Sequence, residues 1–194
     1  MLSEDNWQYI GNYSRSQFFF DVNPEQFKSV FTAWGEYNNS TYFEHNAFIS
    51  ALKTSMFGEF TLTDINPDVA LPAALLFYTN FALALSSVVA LITMGFRKMK
   101  KVAVHLRIFV LVLYLSFLGS YLVFCVTYPH TCTQNFRYMV PAFVLGALAV
   151  GLLVNQVQNS KSRLARASVG IMAGLTGLFC IFSVWVYALL AITV

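Results

Sequence analysis

The second half of the chain alternates long apolar stretches with short basic ones. Asp and Glu occur only as far as Asp68, and neither occurs in the residues that follow. Each apolar stretch exceeds the roughly 20 residues that a helix needs to cross the hydrocarbon layer of a bilayer. A carboxylate within that layer is costly, so the absence of acids is consistent with membrane spans. The pattern predicts four transmembrane helices, at about 70–95, 104–127, 138–158 and 168–192.

The first 68 residues are rich in aromatic and polar side chains and predict short helices. Asn23 and Pro24 are typical of a helix start, and the apolar positions after them recur at helical spacing. A second helix is predicted from about Tyr42 to Thr54, and Gly58 ends its apolar stripe. We therefore expect an all-α integral membrane protein with two parts. These are an extracytoplasmic aromatic and acidic region of short helices at 1–68 and a four-helix transmembrane region at 69–194.

Charge is divided unevenly between these two regions. All nine carboxylates lie within residues 1–68, whereas most of the twelve Lys and Arg residues lie after them. These later cations fill the connections at 97–107 and 160–166, and the loop at 128–137 contains only Arg137. The positive-inside rule then places the two basic connections in the cytoplasm, with the N-terminal region and the C-terminus outside. Because the cations interrupt apolar spans, the pattern argues against nucleic-acid binding.

The beginning of the chain raises a question about how the acidic region is translocated. The first twenty residues lack the basic segment and apolar core that a signal peptide contains. Translocation then requires either a membrane segment upstream of Met1 or a first span that carries its own N-terminal tail across. We expect the former, which makes upstream transmembrane helices of a longer chain possible partners.

Several smaller motifs predict packing, with alternatives left open. The cysteines are too few and scattered for a disulfide framework or a metal site, and Cys125 and Cys132 either pair or, as we expect, remain free thiols. Asn80 is expected to form a hydrogen bond between helices, the alternative being a polar path. Gly170 and Gly174 form a GxxxG motif, which predicts close contact with a helix of this chain or of another. Motifs of soluble enzymes are absent from the sequence.

The loop between the second and third spans carries the most informative polar residues. Arg137 stands next to Tyr138 where the third span begins, and it opposes the positive-inside rule. A planar guanidinium binds phosphate well, so a phosphate ligand is one interpretation. The alternative is that Arg137 reaches lipid head groups while Tyr138 joins an aromatic belt at the membrane surface.

Two segments resemble a known enzyme family. The run Cys132–Pro141 (CTQNFRYMVP), which follows Tyr128-Pro129-His130, resembles the Arg-Tyr-x-x-Pro segment near the C-terminal end of GT-C glycosyltransferases. The resemblance is particularly to bacterial relatives of the dolichyl-phosphate-mannose protein O-mannosyltransferases, which implies a location in a bacterial cell membrane. Phe48–Phe60 (FISALKTSMFGEF) is similar to the outer segment that precedes the last helices in some of these enzymes.

The resemblance implies an enzyme that transfers a sugar from a polyprenyl-phosphate carrier to an acceptor, with inversion at the anomeric carbon. The catalytic carboxylate of the family belongs to a first outer loop that has no counterpart here. The catalytic residue of this chain is therefore unknown, and we expect a C-terminal membrane portion that is inactive alone. The alternative is a stand-alone, non-enzymatic membrane protein, such as an assembly subunit or a transporter component.

In a complete enzyme the resemblance implies particular contacts for the outer residues. Arg137 is the candidate for the carrier phosphate, and Tyr138 for positioning the carrier. His130, Lys53 and Glu59 are candidates for other contacts in the outer cavity. No metal ligands are recognised, and dependence on a divalent metal is left open. Membrane lipid and the carrier are the expected partners.

Overall fold

Four membrane-length helices form the body of the protein. The computed structural model describes residues 9–22, 44–58, 66–96, 102–158 and 162–193. The helices in these ranges are α1 (Arg15–Phe20), α2 (Ala47–Phe57), α3 (Ala70–Phe96), α4 (Val104–Thr127), α5 (Val140–Val157) and α6 (Arg163–Thr193). The last four are long and apolar enough to cross a membrane. The predicted all-α fold with four transmembrane helices is confirmed.

The helices α3 and α4 follow the predicted spans closely, whereas α5 and α6 begin at other residues than the predicted spans do. α5 begins two residues late because Asn135 caps a separate 3-10 turn at Phe136–Tyr138. α6 begins at Arg163, five residues before the predicted start. Arginine is a good helix former, so the helix continues beyond its apolar part into the basic connection.

The third helix, α3, lies at the centre of the four spans. Its N-terminal half packs on α6, where Leu76 and Phe77 meet Val186 in one buried cluster. Its other half packs on α5, and Leu91 and Met94 share a second cluster with Ala149. α4 packs mainly on α5 and touches α3 less. The two helices α3 and α4 are therefore separated along part of their length.

The short helix α2 is buried among the ends of the spans. Nine of its eleven residues are buried. Tyr121 of α4 donates a hydrogen bond to the Ala47 carbonyl at 2.8 Å, and Tyr187 of α6 donates one to the carbonyl of Met56. Asn80 of α3 donates to the hydroxyl of Ser55 at 3.0 Å. The expected interhelical bond of Asn80 thus forms, and its partner is α2 rather than another span.

The depth of α2 in the bundle follows from the position of Asn80. That residue lies ten positions after Ala70, or about 15 Å along α3 at the rise of an α-helix. A helix of eleven residues is too short to cross a bilayer, and such apolar helices are commonly buried or re-entrant. α2 therefore enters the bundle from one end and contacts three of the four spans.

The limits of the short helices differ in part from those predicted. Residues 44–46 are not helical, so α2 begins later than predicted. Asn46 caps it by accepting hydrogen bonds from two backbone N–H groups. Gly58 ends α2 with a φ of 62°, which confirms its predicted role and suits a residue without Cβ. Helix α1, capped by Ser14, was not predicted. The helix predicted after Pro24 lies outside the described residues.

Different segments of the chain meet at the two ends of the bundle. The described N-terminal segments, the loop at 128–139 and the C-terminal part of α6 meet at one end. Ser50 donates to the Gln134 carbonyl there, and Asn66 donates to that of Leu189. At the other end Arg107 donates to the carbonyl of Met94, near the C-terminus of α3. A cation at a helix C-terminus is favourable because the terminal carbonyls carry partial negative charge.

Candidate functional site

The loop between α4 and α5 is folded tightly by its own polar side chains. Two 3-10 turns, at Thr131–Thr133 and Phe136–Tyr138, follow each other. The hydroxyl of Thr133 lies 2.6 Å from the Tyr128 carbonyl and 2.7 Å from that of His130. These bonds compensate for the lack of regular backbone pairing in the loop. The side chains of the loop are consequently presented from a well-defined backbone.

A cleft of about 610 Å³ lies against this loop, and three of the predicted site residues line it. They are Arg137, Tyr138 and His130. The Arg137 guanidinium lies 5.0 Å from the centre of the Tyr138 ring, within the range of a cation–π interaction. Phe124 supports Tyr138 from α4, with ring centres 5.0 Å apart in an edge-to-face arrangement. The contact of these residues with a lipid-phosphate carrier stays a prediction.

The cleft has the electrostatic character of an anion site. Among the described residues that line it, Arg137 alone carries a permanent charge, and none is Asp or Glu. Arg137 is exposed, so its five N–H groups can reach a ligand. The other walls are mainly aromatic and apolar, and Tyr9 completes them from the N-terminal segment. An anion that carries an apolar group, or a ring that can pack on aromatic side chains, fits these surroundings best.

His130 is buried at the base of the loop, with a side chain only 4% exposed. Neither of its ring nitrogens has a hydrogen-bond partner among the described residues, and the same holds for the Thr131 hydroxyl and the side-chain oxygen of Gln134. A buried polar group without a partner costs about 1–3 kcal/mol, so such groups are uncommon outside functional positions. The loop therefore contains a concentrated set of polar groups with unused hydrogen-bonding capacity.

Lys53 occupies a different place from the cleft residues. It lies inside α2, fully buried, and its ammonium group is 2.6 Å from the equally buried carboxylate of Glu44. Burial lowers the pKa of Lys53 below its ordinary value, and the charge of Glu44 acts in the opposite direction. The predicted contact of Lys53 with a carrier stays a prediction. Glu59, the fifth predicted residue, lies outside the described residues.

A hydrogen-bonded pair of side chains joins the N-terminal segment to the start of α2. His45 lies 2.9 Å from the carboxylate of Asp21, and the ring of Tyr13 stacks on His45 with centres 4.1 Å apart. Gln134 of the loop donates to the His45 carbonyl at 2.9 Å. This cluster was not predicted, although a polar run before an apolar stripe, here Glu44-His45-Asn46, is typical of a helix cap.

A second cavity lies at membrane depth and is almost entirely apolar. This groove, of about 750 Å³, runs between α3 and α4, with α5 as its floor and α2 at one end. It follows from the separation of α3 and α4 described above. Its lining includes Phe81, Leu85 and Ile92 of α3 and Leu115 of α4; Ser87 and Tyr114 contribute its few polar groups. A hydrocarbon chain is the ligand chemistry that such a lining favours.

Metal and thiol chemistry have little support in the described ranges. Within 9–22, 44–58, 66–96, 102–158 and 162–193, no three His, Cys, Asp or Glu side chains are grouped closely enough to hold a metal ion. Cys125 is a free, buried thiol 3.8 Å from the Thr133 carbonyl, so it does not pair with Cys132.

Comparison with protein families, with curated proteins and with solved structures finds no match to this chain.

Proposed function

We propose that this chain is the membrane portion of a glycosyltransferase that uses a polyprenyl-phosphate sugar, and that Arg137 binds the carrier phosphate. The observation that supports this most is the grouping of Arg137, Tyr138 and His130 around one cleft that has no acidic lining residue. A guanidinium beside aromatic walls suits a phosphate that carries a sugar on one side.

The apolar groove supports the same proposal because it suits the hydrocarbon chain of the ligand. A polyprenyl phosphate has an anionic head and a long hydrocarbon chain. Tyr138 lines the cleft and its neighbour Met139 lines the groove, so the two cavities are linked by consecutive residues. Together they offer one polar and one apolar surface, which is the combination that an amphiphilic carrier requires.

The catalytic carboxylate is proposed to come from a segment outside these 194 residues. Glu44 is fully buried against Lys53 and cannot meet an acceptor in this arrangement. A general base must lie within hydrogen-bond reach of the proton that it removes. The chain would therefore supply carrier binding and depend on other helices for chemistry.

A non-enzymatic assembly subunit is the second candidate, and α6 provides an observation in its favour. Only 6% of its apolar span is buried. A Cβ added at Gly170, Gly174 or Gly177 would meet nothing within 4 Å in the described structure. The partner predicted for the GxxxG motif is thus not among the described helices, and these glycines are available to another chain.

The orientation of the bundle is part of the proposal and can be measured. We expect the loop at 128–137 to face outside and the connection near Gln158 to face the cytoplasm, because basic residues cluster at the latter end. In a variant with the three native cysteines replaced by Ala, Tyr128→Cys should react with an impermeant maleimide in intact cells. Gln158→Cys should react only after permeabilisation. The opposite pattern would invert the topology.

Conversion of Arg137 to Lys tests the proposed phosphate contact. A bidentate contact loses its planar fork in Arg137→Lys, and at about 1.5–3 kcal/mol for a charged hydrogen bond the affinity should fall about 10- to 100-fold. Native mass spectrometry of the purified chain can measure binding of a polyprenyl monophosphate, with the matching polyprenol as the neutral control. Arg163→Lys, at the other end of the bundle, is the matched variant and should bind normally. Unchanged binding by Arg137→Lys would favour the role of a membrane anchor.

A further inference from the structure

His130 is held rigidly at the wall of the cleft. Its backbone N–H bonds to the Tyr128 carbonyl at 2.8 Å, and its own carbonyl accepts from the backbone and the hydroxyl of Thr133. The ring lines the cleft that also contains Arg137, yet its nitrogens are closed to solvent and lack a partner among the described residues. Because the loop backbone is tied down, a ligand can reach this ring only if a covering group moves.

The side chain of Tyr9 lies against the ring of His130. Its ring meets the ring of His130 edge-on, with centres 5.4 Å apart. The Tyr9 backbone pairs with that of His130, and the N–H of Ile10 bonds to the Pro129 carbonyl at 2.9 Å. Ile10 is itself buried, at 1% exposure. The backbone of this segment is therefore fixed to the loop, and rotation of the Tyr9 side chain is the simplest way to uncover His130.

Gly11 makes the closed position of Tyr9 possible. An added Cβ at Gly11 would lie 2.2 Å from the phenolic oxygen of Tyr9 and 2.3 Å from the adjacent ring carbon. The φ of Gly11 is not positive, and the three atoms nearest to the added Cβ all belong to the Tyr9 side chain. Gly11→Ala should therefore displace the ring while leaving Tyr9 in place.

We propose that His130 is a second ligand-binding group of the outer cleft, used together with Arg137 for a phosphate-bearing head group, and that the Tyr9 ring is a movable cover over it. The proposal rests on the function proposed above for the cleft. An imidazole ring offers one or two N–H donors, so its unused hydrogen-bonding capacity matches the oxygen atoms of a phosphate. Tyr9 closes the site when the ligand is absent and keeps the ring from water.

Acylation of histidines by diethyl pyrocarbonate, followed by peptide mass spectrometry, tests the cover. His130 should react slowly in the wild type and at least about tenfold faster in Tyr9→Ala and in Gly11→Ala, since the population of the open state limits access. Exposed His105 and buried His45 serve as internal standards and should keep their rates. If Tyr9→Ala loosens the fold, His45 will also accelerate, and Gly11→Ala then decides. Wild-type rates for His130 in both variants would overturn the cover.

The second test asks whether His130 contacts the ligand. Farnesyl monophosphate should protect His130 of Tyr9→Ala from acylation, whereas farnesol should not. Protection by inorganic phosphate as well would support the contact and assign it to the phosphate group alone. In the Tyr9→Ala background, His130→Ala should weaken binding of farnesyl monophosphate by about tenfold or more.

The outcomes separate this inference from the proposed function. Binding that depends on Arg137, with no protection of His130 and no effect of His130→Ala, would overturn the role of His130 and leave the phosphate site intact. Failure of every variant to bind farnesyl monophosphate would overturn both. Protection together with weakened binding of His130→Ala supports both.

Discussion

Replacing Lys53 by Met is expected to destabilise the protein by about 3–5 kcal/mol, because the change removes the ammonium group that pairs with the buried carboxylate of Glu44. The two side chains are 2.6 Å apart and both are fully buried, so water cannot replace the lost partner. The effect should extend beyond α2, since that helix bonds to three spans. Reversible unfolding in mixed micelles, followed by circular dichroism, gives the difference in free energy of unfolding.

The double variant Glu44→Leu, Lys53→Met distinguishes a lost charge balance from lost packing. Removal of a whole buried ion pair in favour of apolar side chains is often neutral or stabilising, so the double variant should recover most of the loss. Arg15→Met, an exposed cation on α1, is the matched control and should change stability little. If Lys53→Met behaves like Arg15→Met, the buried pair has no role in holding α2 in the bundle.

Replacing Gly146 by Leu should also destabilise the bundle, by about 3 kcal/mol at the upper end of the usual cost of overpacking. Even a lone Cβ at this position would approach the Ser87 hydroxyl oxygen to 2.9 Å and its Cβ to 3.0 Å. Leucine adds three more carbons where α5 packs against Ser87 of α3. The same unfolding measurement applies.

Gly174→Leu provides the matched comparison in α6. It makes the same chemical change in a membrane helix, but at a position where an added Cβ meets no atom of the described structure within 4 Å. Its stability should be close to that of the wild type. Equal losses for the two variants would mean that glycine itself, and not the α3–α5 contact, determines the cost. Loss of a co-purifying protein in Gly174→Leu, at unchanged stability, would favour the assembly-subunit alternative.

Local sequence determined the positions of the spans and the grouping of polar side chains in the loop between α4 and α5. A run of 20 or more apolar residues has the same preference for hydrocarbon wherever it lies in the chain, so the four helices could be predicted within a few residues. Arg137, Tyr138 and His130 stand within nine positions of one another in a loop shorter than either neighbouring span. Their common cleft therefore depended little on long-range folding.

Long-range contacts decided the rest. Glu44 and Lys53 are nine residues apart, and Glu44 precedes the helix that contains Lys53, so helical spacing could not indicate their pairing. Tyr9 reaches His130 from near the N-terminus of the chain. α2 has the composition of an exposed amphipathic helix or a buried one. Its place inside the bundle is evident only from the burial of nine of its residues and from the hydrogen bonds that Asn80, Tyr121 and Tyr187 donate to it. Contacts between distant segments depend on how whole helices pack, and periodicity along the chain carries no information about that packing.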